Sequence, residues 1–289
     1  NSWKLPRVAR MQQKPNKHII CPMQSPIIET SVLTIAGSDS CGGAGIQADL
    51  NTFAAFGVYG ASVVTAVTAR NTLGVQAVEP ISDRMIVDQM ESVFEDLPIT
   101  AIKTGMLPSV AGITILGEML ARNDPVIPMV VDPVVIEPEG KELTGDTALE
   151  AIQTHLFPLA TLITPNLEEA QVLTGMSIKS MDDMEVAARE LLNRGSQAVF
   201  LKGGRFGGDE ITDLLMSRSG VLTYTHGAFE GRFHGTGCAL SSAVAAGLAL
   251  GKSLPEAVQE AVDYVQLCLQ NSLAPVKGRH GLLRHKALS

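Results

Sequence analysis

His234-Gly235-Thr236-Gly237-Cys238 stands directly before an apolar run of small residues that includes Ala239, Leu240, Ala243, Val244, Ala245 and Ala246. Two glycines let a backbone approach a ligand closely. The N–H groups of Gly235, Gly237 and Cys238 can converge on an anion at a helix N-terminus, where the helix dipole adds positive charge. The oxyanion of a transferring phosphoryl group suits that place. Cys238 falls in the first helical turn, where a thiolate is favoured and a lowered pKa is expected. A capped helix start with a small buried thiol is the alternative. The pattern has neither the Lys-Ser/Thr ending of a P-loop nor the glycine spacing of a dinucleotide fingerprint.

Other loops carry residues of suitable type. Asp39 and Gly42-Gly43-Ala44-Gly45 follow an apolar run; Asp39 could accept from a substrate hydroxyl or ring nitrogen, or the loop could be a tight strand-to-helix turn. Lys103-Thr104-Gly105-Met106 and Lys202-Gly203-Gly204 each bring a cation and backbone amides to the end of an expected strand. Asp132 ends another, where a carboxylate can reach a metal or ligand. In Thr164-Pro165-Asn166-Leu167-Glu168-Glu169, Asn166 and Glu169 share a helix face. They can hold Mg²⁺ directly or through water, or form a capping box. Arg70-Asn71 reads as a loop, the Cys41 thiol as incidental, and His18, His155, His226, His280 and His285 have no metal-binding spacing.

These residues need a scaffold, and the hydrophobic pattern supplies one. Val32–Ala36, Ala61–Val67, Ile99–Ile102, Pro128–Asp132, Leu159–Ile163 and Ala198–Lys202 read as strands. Helices are expected over 46–56, 82–94, 109–121, 147–154, 167–173, 181–194 (capped by Ser180), 237–250 and 254–272. Gly74–Val78 is extended, and 211–215 with 220–225 form a hairpin at a sheet edge. The alternation predicts an α/β fold, a mostly parallel central sheet flanked by helices on both faces, with ligands at the C-terminal ends of the strands.

The chain has 289 residues and a formal charge of -8, which gives no general attraction for nucleic acid. An anionic substrate would need a local positive field from helix ends, a few cations or Mg²⁺. Cys21, Cys41, Cys238 and Cys268 are widely spaced and suggest neither zinc nor a disulfide scaffold, so a cytoplasmic protein is expected. No apolar run is long enough to span a bilayer. Residues 1–28 hold five cations, four prolines and no acidic residue, and read as a disordered extension. One domain is expected over 29–275, with a C-terminal tail over 276–289.

Taken together, Leu33 to Ser40 with Gly42 to Leu50, Thr65 to Ala69, Asn71-Thr72, Lys103 to Leu107, Val131 to Val134, Leu162 to Asn166, Lys202 to Gly204 and His234 to Cys238 resemble the hydroxymethylpyrimidine/phosphomethylpyrimidine kinases of thiamin synthesis, in the ribokinase-like superfamily. The resemblance covers about residues 31 to 272 in the family's order. It implies two successive phosphorylations of an aminopyrimidine alcohol by ATP with Mg²⁺, in a homodimer.

By that similarity, Cys238 takes the place of a catalytic Asp in related sugar kinases, with Gly235 and Gly237 forming the anion hole. Asp39, Ala44, Arg70, Met106 and Val134 would face the substrate. Lys202, Gly204, Thr236 and Asn166 would face the nucleotide, and Asp132 and Glu169 the metal. A related pyridoxal kinase has the same cysteine ending, so a vitamin B6 alcohol is the alternative substrate, and a weakly active binding relative a further reading. The chain departs from the family at Arg70, which replaces a Gln, at Glu137-Pro138-Glu139-Gly140, and at Arg232-Phe233. A donor-only Arg70 would favour a phosphate or carboxylate.

Overall fold

A computed structural model describes residues 28–122, 127–134, 146–206, 210–275, 277–278 and 280–285. Residues 1–27 of the expected extension over 1–28 and the Glu137–Gly140 departure lie outside them.

Among the described residues, nine strands form one sheet. Its parallel centre, in spatial order, is β2 (Tyr59–Asn71), β1 (Ser31–Asp39), β4 (Ile99–Thr104), β5 (Met129–Val131), β6 (Leu162–Ile163) and β7 (Ala198–Gly204). β3 (Gly74–Pro80) closes one edge antiparallel, and the hairpin of β8 (Glu210–Ser217) and β9 (Gly220–Gly227) closes the other.

Alternate residues of the central strands point to opposite faces. Leu33, Ile35, Ile102, Met129, Val131 and Leu201 enter one core with α2 (Asp83–Asp96), α3 (Val110–Ala121), α4 (Asp146–His155), α5 (Leu167–Thr174) and α6 (Met181–Leu192). Val32, Ala101, Val130, Leu162 and Phe200 enter the other, with α1 (Gly45–Ala55), α7 (Thr236–Ala249) and α8 (Leu254–Gln270). Both faces are covered, which explains why these strands read as continuous apolar runs. The small residues of α7 serve close packing: a Cβ on Gly247 would stand 2.9 Å from that of Ala257 in α8.

Chain direction splits at β1, which pairs with β2 on one side and β4 on the other. Crevices open at such switch points, outside the carboxyl ends of the strands. Asp39, Thr104-Gly105, Asp132, Asn166 and Lys202-Gly203 all lie at those ends.

Two features differ from the sequence expectation. Arg70 and Asn71 are the last residues of β2, paired with Val75 and Gly74, rather than loop. Part of the segment set apart as a C-terminal tail is packed: β11 (His280–Leu282) pairs in parallel with β10 (Arg232–His234), which leads into the Gly235 turn. Leu283 is buried, and His285 Nδ1 lies 2.9 Å from the Tyr264 hydroxyl.

Candidate active site

Gly235 precedes α7 in a left-handed conformation, and no side chain caps the helix. The first helical bond runs from Ala239 N–H to the Gly235 carbonyl, which leaves the Thr236, Gly237 and Cys238 amides unused by the helix. A Cβ on Gly237 would stand 3.3 Å from Lys202 Nζ and 3.6 Å from Asp132 Oδ2, so a cation and a carboxylate flank these amides. Lys202 Nζ lies 3.3 Å from Asp132 Oδ1, which also accepts from Thr164 Oγ1 at 3.0 Å. Burial works against the Lys202 charge, but Asp132 and then Glu169 outweigh it and raise its pKa.

Two cavities open at this helix end. The larger, about 360 Å³, is lined by Asn166, Lys202, Gly203, Thr236 and Gly237, with Phe229, Phe233, Leu240 and Val262 as its apolar walls. The smaller, about 70 Å³, is lined by Asp39, Ala44, Arg70, Met106, Val134 and Cys238, together with Lys103 and Gly105. Neighbouring residues of α7 therefore open onto different spaces, Gly237 onto the larger and Cys238 onto the smaller. All five residues expected to face the substrate line the smaller cavity. Lys202, Thr236 and Asn166 line the larger one.

Gly204 does not line it. Gly204 pairs with Thr212, and a Cβ there would stand 2.5 Å from the Thr212 carbonyl oxygen; Gly203 faces the cavity instead. Asn166 and Glu169 form a reciprocal capping box at the start of α5, each bond 2.8 Å. One Glu169 oxygen is thus committed to the helix start.

Asp39 organises its own loop. Its carboxylate accepts from the amides of Cys41, Gly43 and Ala44, and Oδ2 lies 2.7 Å from His234 Nε2. Burial alone would raise the Asp39 carboxyl, but the hydrogen bond and charge of His234, with the Cys41 and Ala44 amides, hold it below the usual range. On the far side of the same ring, His234 Nδ1 lies 3.4 Å from Arg70 Nη2. Ser40 fixes the Arg70 backbone, accepting from its N–H at 2.8 Å and donating to its carbonyl at 2.7 Å. Met106 is set by Thr65 Oγ1, which donates to its carbonyl, and it packs over Gly37, where a Cβ would stand 2.4 Å from Met106 Cε.

The expectation of a lowered Cys238 pKa is overturned. Burial pushes the thiol up to about 11, against the pull of the Lys103 ammonium, and the Asp49 and Asp132 carboxylates add to the rise. Desolvation disfavours the charged thiolate more than nearby positive charge favours it.

The sequence reading offered Lys103 as a cation at a strand end, but missed its partner Asp49 and a polar trio in the larger cavity. Lys103 and Asp49, both fully buried, form an ion pair of 2.9 Å; a lysine inside the apolar strand Ile99–Thr104 needs such a partner, which was the signal for Asp49. Removing either partner alone would cost about 3–5 kcal/mol, because the other charge would stay buried. Asp213, His226 and Gln266 line the larger cavity, with His226 Nε2 3.1 Å from Asp213 Oδ2 and Nδ1 3.0 Å from Gln266 Nε2. The Asp213 hydrogen bond raises the His226 pKa. No spacing in the chain announces that trio. Among the described residues no group of three or more ligating side chains could hold a metal, and no helix is long and apolar enough to cross a membrane.

Residues 39–283 match the family model described as phosphomethylpyrimidine kinase. A hydroxymethylpyrimidine/phosphomethylpyrimidine kinase of Rhizobium meliloti is 46% identical over 212 residues, covering 72% of this chain and 79% of the relative. The Bacillus subtilis protein of the same name is 42% identical over 259 residues, covering 88% and 94%. The crystal structure of a phosphomethylpyrimidine kinase from Clostridium difficile aligns with TM-score 0.74 at 44% identity, over 83% of this chain and 99% of that one. A pyridoxal kinase from Staphylococcus aureus, solved with pyridoxal, aligns with TM-score 0.81 at 35% identity, over 89% and 94%.

Proposed function

Because the chain belongs to the phosphomethylpyrimidine kinase family, we propose that it transfers the γ-phosphoryl group of ATP to 4-amino-5-hydroxymethyl-2-methylpyrimidine and then to its monophosphate, in thiamine biosynthesis. The observation that carries this reading is the pair of cavities lined by the neighbouring residues Gly237 and Cys238 at the start of α7. A nucleotide in the larger would bring its terminal phosphate to the Gly237 amide. An alcohol in the smaller would lie beside Cys238.

In this reading the amides of the Gly235 turn and of the first turn of α7, with Lys202, balance charge on the transferring group, which is most of what a loose transfer needs. Cys238 takes the proton of the acceptor as the new oxygen–phosphorus bond forms. The raised thiol pKa makes its thiolate scarcer and more basic. Asp39 acts on the acceptor side indirectly, by holding the glycine loop and His234. Lys202, Asn166, Thr236 and Gly203 belong to the nucleotide side.

Mg²⁺ is part of the proposal. Asp132 is buried beside Gly237, and its Oδ2 has one long contact, 3.4 Å from Ser241 Oγ. One carboxylate joined by phosphate oxygens and waters is a donor set that Mg²⁺ accepts. Asp132 would hold the ion directly and Glu169 through water. Bound there, it would neutralise phosphate charge. A cytoplasmic homodimer completes the reading, supported by the wide spacing of the four cysteines, which suits a reducing compartment, and by the resemblance.

A second substrate reading has its own support. Arg70 has only donors to offer the acceptor cavity, which suits a ring bearing a phenolate, as pyridoxal does. Solved relatives include pyridoxal kinases of Staphylococcus aureus and Bacillus subtilis. The test is ADP release from Mg-ATP with hydroxymethylpyrimidine. Release should depend on the alcohol and fall by about 10²-fold or more in Cys238→Ala. ADP release with no dependence on any added alcohol would refute the assignment.

A further inference from the structure

Lys103 is fully buried, yet it lines the same small cavity as Cys238. Its Nζ donates to both oxygens of Asp49, each at 2.9 Å. Those oxygens accept in turn from Thr34 Oγ1 at 2.6 Å and Ser242 Oγ at 2.7 Å. The cluster ties together β1, α1, β4 and α7. Ser242 lies four residues after Cys238, on the same face of α7. The bond that orients Asp49 therefore also fixes how far Cys238 stands from the ammonium. Gly105 keeps the space above it open, since a Cβ there would be 2.9 Å from Lys103 Nζ.

We propose that Lys103 is a positioning residue for proton transfer at Cys238: clamped by Asp49, it supplies the fixed positive charge beside which the sulfur accepts the proton of the substrate alcohol. This rests on the kinase reading. A purely structural role is a poor explanation, because apolar side chains of similar volume fill such a site equally well or better. The charges acting on Cys238 are Lys103, Asp49 and Asp132, with Lys202 also coupled to it. Burial and both carboxylates oppose a thiolate, and Lys103 is the main charge in its favour. Burial also opposes the Lys103 charge, but Asp49 outweighs it and holds the ammonium above the usual lysine range, so Lys103 keeps its protons throughout. In the transfer, the acceptor oxygen bonds to the γ-phosphorus and the bond from that phosphorus to the ADP oxygen breaks. The hydroxyl proton passes to the Cys238 thiolate, which becomes a thiol.

The test is alkylation of Cys238 by iodoacetamide as a function of pH, in protein free of nucleotide and Mg²⁺, read from the mass of the Cys238 peptide. Lys103→Met should move the labelling midpoint up by about one pH unit or more, which slows labelling near neutral pH about tenfold. Lys103→Arg should stay near wild type. If Lys103→Met does not fold, Lys103→Met/Asp49→Leu leaves no unpaired buried ion and should still shift the midpoint upward, by less, because the smaller opposing effect of Asp49 is lost with it. With substrates, kcat should fall in these uncharged variants while the KM for ATP holds. A folded uncharged variant labelled with the wild-type pH dependence would overturn the proposal. Labelling needs no turnover, so this result is independent of whether the kinase reading survives.

Discussion

Gly235 and Gly43 meet backbone to backbone: a Cβ built on Gly235 would stand 1.8 Å from the Gly43 carbonyl oxygen. With φ at +85°, Gly235 is confined to glycine by conformation as well as by space. The glycine loop after β1 and the turn before α7 therefore form one unit. Gly235→Ala must push the two apart, so stability and turnover should fall together. Gly237→Ala meets only the Lys202 and Asp132 side-chain tips and should separate the two effects. Its melting point should change little, within about 0.5 kcal/mol of stability, while kcat drops about tenfold or more. Wild-type kcat in Gly237→Ala, measured beside its thermal melt, would remove this turn from the transfer site.

The raised thiol makes a signed statement about pH. A thiolate base with a pKa of about 11 is a minor species at neutral pH, and its population grows about tenfold per pH unit below that value. The profile of kcat/KM reports the free enzyme. It should climb from about pH 7 to pH 9 without levelling, and the climb should be absent in Cys238→Ala. A bend near about pH 8.5, levelling above it, would show a thiol of ordinary acidity.

Arg70 should decide between substrates. Arg offers donors alone, whereas the edge of an aminopyrimidine presents a donor and an acceptor together. Arg70→Gln should improve kcat/KM for hydroxymethylpyrimidine and worsen it for pyridoxal, with the ratio moving about tenfold. Side-by-side kinetics on the two alcohols would show it. An unchanged ratio would mean that Arg70 serves only to hold His234.

Much of this was legible in local pattern. Apolar runs such as Val32–Ala36 and Ala198–Lys202 announce strands buried on both faces. Ser180 caps α6 and Asn166 pairs with Glu169, as their spacing suggests. The edge hairpin lies where two short runs flank a turn. What escaped depends on distant partners. Strands of three residues, 232–234 and 280–282, leave no periodic trace, and they find each other across some 48 positions. Gly204 and Gly203 are equivalent in sequence, and only the pairing of Gly204 with Thr212 sets one against β8 and leaves the other facing the cavity. The acidity expected of Cys238 failed for the same reason. A helix start is visible in the chain, but the burial that outweighs it comes from remote segments.

The central claim is that one helix start moves phosphate from a nucleotide to a small aromatic alcohol. Incubating the protein with Mg-ATP and equal amounts of hydroxymethylpyrimidine and pyridoxal, then weighing the products by mass spectrometry, tests it most directly. The account predicts the pyrimidine monophosphate first and the diphosphate after it, with ADP released in step and pyridoxal phosphate as a lesser product. Unchanged alcohols after prolonged incubation, with ATP intact, would contradict it.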